Sequence, residues 1–211
     1  MKKLITLILL LSFTIKAQDV TIGTQTWTSK NLDVEIYRNG EEIPQVKDKE
    51  EWANLTTGAW CYYKNKTANG KKYGKLYNWY AVNDPRGLAP KGYHIPTDAE
   101  WTMLTDYLDG EPVAGTKMKS TSGWQNNKLD GITGNGTNIS VFTGLPGGFR
   151  VSRGDYFFNV GYNGYWWSSS VSNTDVPWCR ALGTMYGAVD RLDEVFGTKK
   201  RQGFSVRCIK D

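Results

Sequence analysis

Histidine occurs once in this chain, at position 94, and cysteine only three times, at positions 61, 179 and 208. No CxxC is present, so the His/Cys sets of zinc sites are missing and that metal chemistry is excluded. An odd number of cysteines permits at most one internal bridge and leaves one thiol over. Runs of lysine and arginine interleaved with aromatics along a helix are also absent, which argues against nucleic acid as a partner. "TKKRQ" at 198–202 reads as a short solvated basic turn. "TGLPGGFR" lacks the lysine and the serine or threonine of a phosphate-binding P-loop. The one long apolar run, Leu4 to Ile15, falls short of the about 20 residues a membrane span needs.

That run follows Lys2 and Lys3 and precedes Ala17, a small residue suited to cleavage, so residues 1–17 are expected to be a signal peptide. The mature chain, 18–211, is then expected to be secreted or held in the cell envelope, with no integral membrane span. The absence of cysteine beside the cleavage point disfavours a lipid anchor. Cleavage removes Lys2, Lys3 and Lys16 and lowers the formal net charge from +5 to +2, so most of the basicity belongs to the export signal. The remaining 194 residues suit one domain with a sizeable core.

What is plentiful is glycine (23), tyrosine (12) and tryptophan (9), a composition suited to short strands and turn-rich loops around a few helices. "DVTIGTQTWTSKNL" reads as two short strands about Gly23-Thr24. In "DKEEWANL", Asp48 stands three residues before Glu51 and opens a short helix. "YGKLYNWYAVND" at 73–84 places Leu76, Trp79 and Tyr80 at helical spacing and predicts a second helix. In "KGYHIPTDAEWTML" Pro96 ends an extended piece, and Thr97 with Glu100 forms a capping box. Asp98 suits the positive end of the helix dipole. Trp101, Leu104 and Leu108 make an apolar stripe, and Gly110 stops the helix. His94 as a general base lacks a local nucleophile and an orienting carboxylate, so it reads as structural.

Beyond residue 110 the pattern predicts loops and strands. "NNKLDGITGNGTN" at 126–138 is a turn-forming loop whose oxygens offer a possible structural calcium site, although EF-hand spacing is missing. In "QGFSVRCIKD" Phe204, Val206 and Cys208 alternate with Ser205, Arg207 and Ile209, predicting a strand with "VPWCRALG" and "MYGAVDRL" as its neighbours. Asp190, Asp193 and Glu194 read as a solvated turn rather than glycosidase carboxylates.

The ordered segments "VTIGTQTWTSKNL", "YGKLYNWYAV", "GYHIPTDAEWTML", "KMKSTSGW", "LPGGFR", "YWWSSS" and "GFSVRCIKD" resemble the Fibrobacter succinogenes major paralogous domain (FISUMP), a group of exported bacterial proteins, from Val20 to the C-terminus. More distantly, residues 94–101 and 203–207 are similar to the C-type lectin-like superfold, which includes the formylglycine-generating enzymes. The resemblance implies an α+β, C-type lectin-like fold with short helices, small antiparallel sheets and long loops. It does not imply the best-known chemistries of that fold. Cys179 and Cys208 lack the closely spaced pair of the enzymes, and Glu111-Pro112-Val113 and "WWSSS" depart from the calcium-lectin motifs. Cysteine is common in the family at the positions of Cys61 and Cys208. The resemblance therefore implies a Cys61–Cys208 bridge stabilising by about 2–4 kcal/mol, with Cys179–Cys208 as the rival.

Residues 157–180 concentrate aromatics among Gly, Ser and Asn, the mixture favoured in recognition loops. Trp166 and Trp167 read as core. Tyr162, Asn163, Tyr165, Trp178, Arg180 and Tyr186 are the candidate ligand-binding residues. Arg150, Arg153 and Arg180 suit an acidic ligand or pairing with aspartates. The favoured expectation is a non-enzymatic recognition or adhesion domain that binds an extracellular glycan or protein through loops between 123 and 196. The alternatives are an enzyme of unknown type using Cys179, Asp175 and Arg180, or a structural envelope component.

Overall fold

The computed structural model describes residues 19–127, 131–153, 155–172, 176–193 and 200–211. The signal-peptide segment, Asp175 and Glu194 lie outside the described residues. The chain opens with β1 (Asp19–Ile22) and β2 (Gln25–Thr28), then α1 (Lys49–Asn54), β3 (Trp60–Cys61), α2 (Thr67–Tyr73), β4 (Leu76–Tyr77), α3 (Trp79–Val82) and β5 (Tyr93–His94). It continues with α4 (Asp98–Tyr107), α5 (Glu111–Met118), β6 (Gly147–Arg150), β7 (Phe157–Val160), β8 (Asn163–Val171), β9 (Pro177–Gly183), β10 (Val189–Leu192) and β11 (Ile209–Lys210).

Three sheets result. One runs β1-β2-β11-β5, all antiparallel; one runs β10-β9-β8-β6-β7; the third is the β3-β4 pair. The five-stranded sheet departs from the antiparallel expectation, because β6 lies parallel to β8 through Gly148 and Gly164. Both positions need glycine. A Cβ on Gly164 would lie 2.4 Å from the Trp166 ring and 2.5 Å from the Leu145 carbonyl, and Gly148 has a φ of +65°.

The segment before β11 stitches the sheets together. Gly203 pairs with Arg150, Phe204 with Tyr77 and Ser205 with Trp166, while the Val206 and Cys208 carbonyls accept from Leu32 and Thr28. The expected alternation holds across it. Phe204, Val206 and Cys208 enter a core cluster with Tyr77, Tyr165 and Trp167. On the other side Ile209 joins Trp27, Trp101, Phe142 and Trp166, and the Arg207 guanidinium sits 4.5 Å from the Phe142 ring. Its neighbours differ from expectation, since β9 and β10 pair with each other and with β8.

Local capping explains the helices that were legible. Thr97 and Glu100 close the capping box at the start of α4, and Trp101 and Leu104 are fully buried. Asp48 accepts from the Glu50 and Glu51 amides at α1. Two expectations fail. The helix predicted over 73–84 shrinks to α3, because Asn78 caps it only there and Leu76 is taken by β4. Gly110 ends α4 but also begins α5, which has a proline in its first turn, where the missing amide is not needed.

The three cysteines are free, buried thiols. Cys61 packs with Trp52, Tyr63 and Leu76, whereas Cys179 and Cys208 belong to the cluster around Trp167 and Phe204. Neither bridge implied by the resemblance is formed. Burial pushes the Cys61 and Cys208 thiols up to about 12 and Cys179 further in the same direction.

Candidate functional site

At one end of the five-stranded sheet, the β7–β8 turn and the β9–β10 connection enclose a cleft of about 500 Å³. Tyr63, Asn127, Asn159, Val160, Tyr162, Asn163 and the run Gly183-Thr184-Met185-Tyr186 line it. A backbone bond from the Thr184 amide to the Tyr162 carbonyl holds the two walls together, and the Gln125 amide, from the segment after α5, donates to Gly161. Gly161, at a φ of +85°, supplies the turn. From beneath, the buried Lys119 ammonium donates to the carbonyls of Gly183 (2.9 Å) and Tyr186 (3.1 Å), tying the outer wall to the end of α5.

Among the described residues, this lining holds no acidic or basic side chain. Asp190 and then burial raise the Tyr186 phenol, and burial raises Tyr63, so both stay neutral. The cleft therefore offers aromatic faces, amides and hydroxyls. Such groups stack on apolar faces and exchange hydrogen bonds with a neutral, hydroxylated ligand.

Three of the six sequence-predicted ligand residues meet here: Tyr162 and Asn163, both half-buried, and Tyr186, half exposed. The other three do not. Tyr165 is buried, stacked on Phe204 with centroids 5.2 Å apart, and its hydroxyl accepts from Asn159 (3.2 Å). It supports the cleft from behind. Arg180 is also buried and committed to Asp98 at 2.6 Å, so it is unavailable to a ligand. Trp178 stands about 16 Å along β9 from Gly183 at the usual strand rise. There its ring lies 3.9 Å under the Arg191 guanidinium.

Trp166 and Trp167 fill the core as expected, donating to Asn31 and to the Tyr77 carbonyl. Arg150 is buried and donates to the carbonyls of Val46, Lys47 and Asp48, while Arg153 is exposed. Of the basic segment, residues 198 and 199 lie outside the described residues; residues 200–202 are less solvated than expected, since the Arg201 carbonyl accepts from Trp52 and the Lys200 carbonyl from Trp79. Asp190 lies half-buried on β10, where burial and then Glu111 raise its carboxyl. In the 126–138 loop, Asn135 caps the Trp124 amide and Asn127 exchanges backbone bonds with Ile132 and Gly131. Asp130 of that loop lies outside the described residues. Among the described residues no group of three or more His, Cys, Asp or Glu side chains could hold a metal ion.

His94 serves structure as expected, but the carboxylates the sequence did not reveal as its partners are present. Its Nδ1 lies 2.8 Å from Asp211 and its Nε2 2.8 Å from Glu100, whose other oxygen accepts from Thr97. It clamps the chain end to the capping box of α4. Asn127, Asn159 and Thr184 escaped sequence reasoning because they come from three separate segments. The available signals were the Asn/Gly density on either side of residue 160 and the Asn/Asp/Gly run at 126–138, which holds Asn127.

These features define an α+β domain of short sheets with an uncharged tyrosine- and asparagine-lined cleft at a sheet end. The chain belongs to the Fibrobacter succinogenes major domain family, whose model matches residues 20–210. No curated protein and no solved structure matches it. No helix among the described residues is long and apolar enough to cross a membrane.

Proposed function

We propose that this chain is an exported, non-enzymatic recognition domain on a C-type lectin-like scaffold, and that its cleft binds a neutral glycan. The observation that carries the reading is the lining itself: tyrosines, asparagines and a threonine gathered from separate segments, with no acidic or basic side chain among the described residues. Sugar rings present apolar faces that stack on phenol rings and hydroxyls that pair with amides, so the chemistry of the lining and of the ligand match. Acid–base catalysis needs a titratable group poised within hydrogen-bond reach of the reacting atoms, and among the described residues the lining offers no carboxyl, imidazole, thiol or amine, with the Tyr63 and Tyr186 phenols raised above their ordinary value. Export is supported by the basic and apolar start of the chain.

The test is a glycan array probed with the parent chain and with Tyr162→Ala/Tyr186→Ala. The reading expects selective binding by the parent and its loss in the double variant with the fold intact. Equal binding by both would remove the cleft from the account.

A second reading, a protein ligand, is favoured by one feature. Tyr156 and Phe158 are exposed and stacked at 6.2 Å beside the edge strand β7. Loss of a captured protein on Phe158→Ser, with glycan binding absent, selects it.

A further inference from the structure

A second cleft, of about 540 Å³, shares no lining residue with the first. It opens between the segment after β2, the end of α2 and the 141–145 loop. Lys30, Lys71 and Lys72 stand exposed around it, and none of the three makes an ion pair among the described residues. The one carboxylate in the lining, Asp33, is engaged by Lys75 at 2.6 Å.

At the floor lies Arg207, 1 % exposed, and its surroundings are unusual for a buried cation. Every acceptor it meets among the described residues is neutral: Asn31 Oδ1 at 2.8 Å, and the carbonyls of Thr28, Phe142 and Thr143 at 2.7, 3.0 and 3.2 Å. A guanidinium has five N–H groups, and these four bonds leave one Nη2 hydrogen without a protein acceptor among the described residues. Among the described residues no carboxylate offsets the charge, and burial pushes its pKa down to about 9. A buried charge ordinarily has an ionic partner, because desolvation without one is costly. Here Arg207 lines a cleft ringed by ammonium groups that make no ion pair among the described residues, Lys72 lying 4.9 Å from the centre of the Tyr73 ring.

We propose that this second cleft binds a phosphate group, with Lys30, Lys71 and Lys72 holding its oxygens and Arg207 beneath supplying the fixed positive field. Ammonium and guanidinium groups suit tetrahedral oxyanions through short, charge-assisted hydrogen bonds. The volume admits a phosphate carried on a sugar-sized group. The site stands independently of the aromatic cleft.

The experiment measures the unfolding midpoint of the full chain in sodium phosphate and in sodium chloride at equal ionic strength. The parent is compared with Lys30→Gln/Lys71→Gln/Lys72→Gln and with the corresponding triple arginine variant. Ligand that binds only the folded state raises the midpoint by mass action, and phosphate also stabilises proteins generally, so the readout is the difference between parent and variant. The glutamine variant should unfold near the parent in chloride, since exposed side chains contribute little, yet bind phosphate about tenfold or more weakly. The arginine variant should keep the response, as should Tyr162→Ala/Tyr186→Ala. An equal phosphate effect on parent and glutamine variant would overturn the proposal, as would no effect on either.

Two further arms identify the source of the phosphate. Lysine-dependent binding to phosphatidic acid vesicles, against phosphatidylcholine controls, assigns a lipid headgroup. Lysine-dependent binding of glucose 6-phosphate without vesicle binding assigns a soluble phosphate ester. Either result supports the site.

Discussion

Removing the Asp98 carboxylate should cost this domain a large part of its stability, because a buried arginine depends on it. Asp98 opens α4 with its side chain 16 % exposed, and Arg180, 1 % exposed, donates to it at 2.6 Å. Arg191 adds a bond at 2.7 Å from a side chain that is 41 % exposed. Burial alone would raise the Asp98 carboxyl, but the bonds from Arg191 and Arg180 win and hold it below its ordinary value. Among the described residues, Asp98→Ala leaves Arg180 with the residue-98 carbonyl at 3.2 Å and the Thr102 hydroxyl at 3.3 Å. Orphaning a buried charge costs about 3–5 kcal/mol. The two remaining acceptors place the case at the lower end, near ~3 kcal/mol. The lost pairing with Arg191 and the lost acid at the helix start add about 0.5–1 kcal/mol together. For a domain of this size the resulting ~3.5–4 kcal/mol corresponds to a melting midpoint lower by about 7–16 °C. The companion Asp98→Ala/Arg180→Met removes both charges and should recover to within about 1 kcal/mol of the parent. Urea unfolding followed by circular dichroism measures both. A cost under about 1 kcal/mol for the single change, or a double variant no more stable than the single, refutes the assignment of Arg180 to structure.

Other expectations can be checked with the same preparation. Burial lowers the His94 pKa, but the bonds to Asp211 and Glu100 outweigh it and the net shift is upward from 6.5. Its contribution is therefore complete below pH 6.5 and declines as pH rises through the raised folded value. Because its side chain is 38 % exposed, the amplitude is at most ~1 kcal/mol after screening. The stability difference between parent and His94→Gln should shrink above neutrality, and a constant difference from pH 5 to 9 contradicts the clamp. Cys61, Cys179 and Cys208 should resist a thiol reagent in the native state and react together on denaturation. A disulfide found by non-reducing peptide mapping overturns that expectation. Gly164→Ala should destabilise by about 1–3 kcal/mol in urea, because the added carbon meets Leu145 backbone as well as the Trp166 ring. A neutral result means that the β6–β8 contact can yield.

What the sequence revealed was what is local or periodic. The Thr97–Glu100 capping box spans three positions, so both partners are visible in one line of sequence. The alternation from Phe204 to Ile209 likewise sorted those side chains correctly between two core clusters. Long-range pairing was hidden. Arg180 looked available because nothing near it in sequence reveals Asp98, 82 positions away. Tyr165 was read as exposed because β8 is buried on both faces, which removes the inside–outside contrast that alternation depends on. Helix α5 escaped because "EPVAGTKM" joins a proline and a glycine to weak periodicity, and its stability comes from contact with α4 and β10. The cleft was half legible for the same reason. Tyr162, Asn163 and Tyr186 stood in an aromatic, glycine-rich stretch, whereas Asn127 and Tyr63 arrive from other parts of the chain.

The most direct measurement is the backbone amide spectrum of the isotopically labelled protein during titration with a neutral oligosaccharide selected on the array. The account predicts saturable shifts confined to Tyr63, Asn127, residues 159–163 and residues 183–186, with the Trp178 and Arg191 amides unmoved. Shifts centred on Trp178, or none anywhere at millimolar sugar, contradict a carbohydrate site in this cleft.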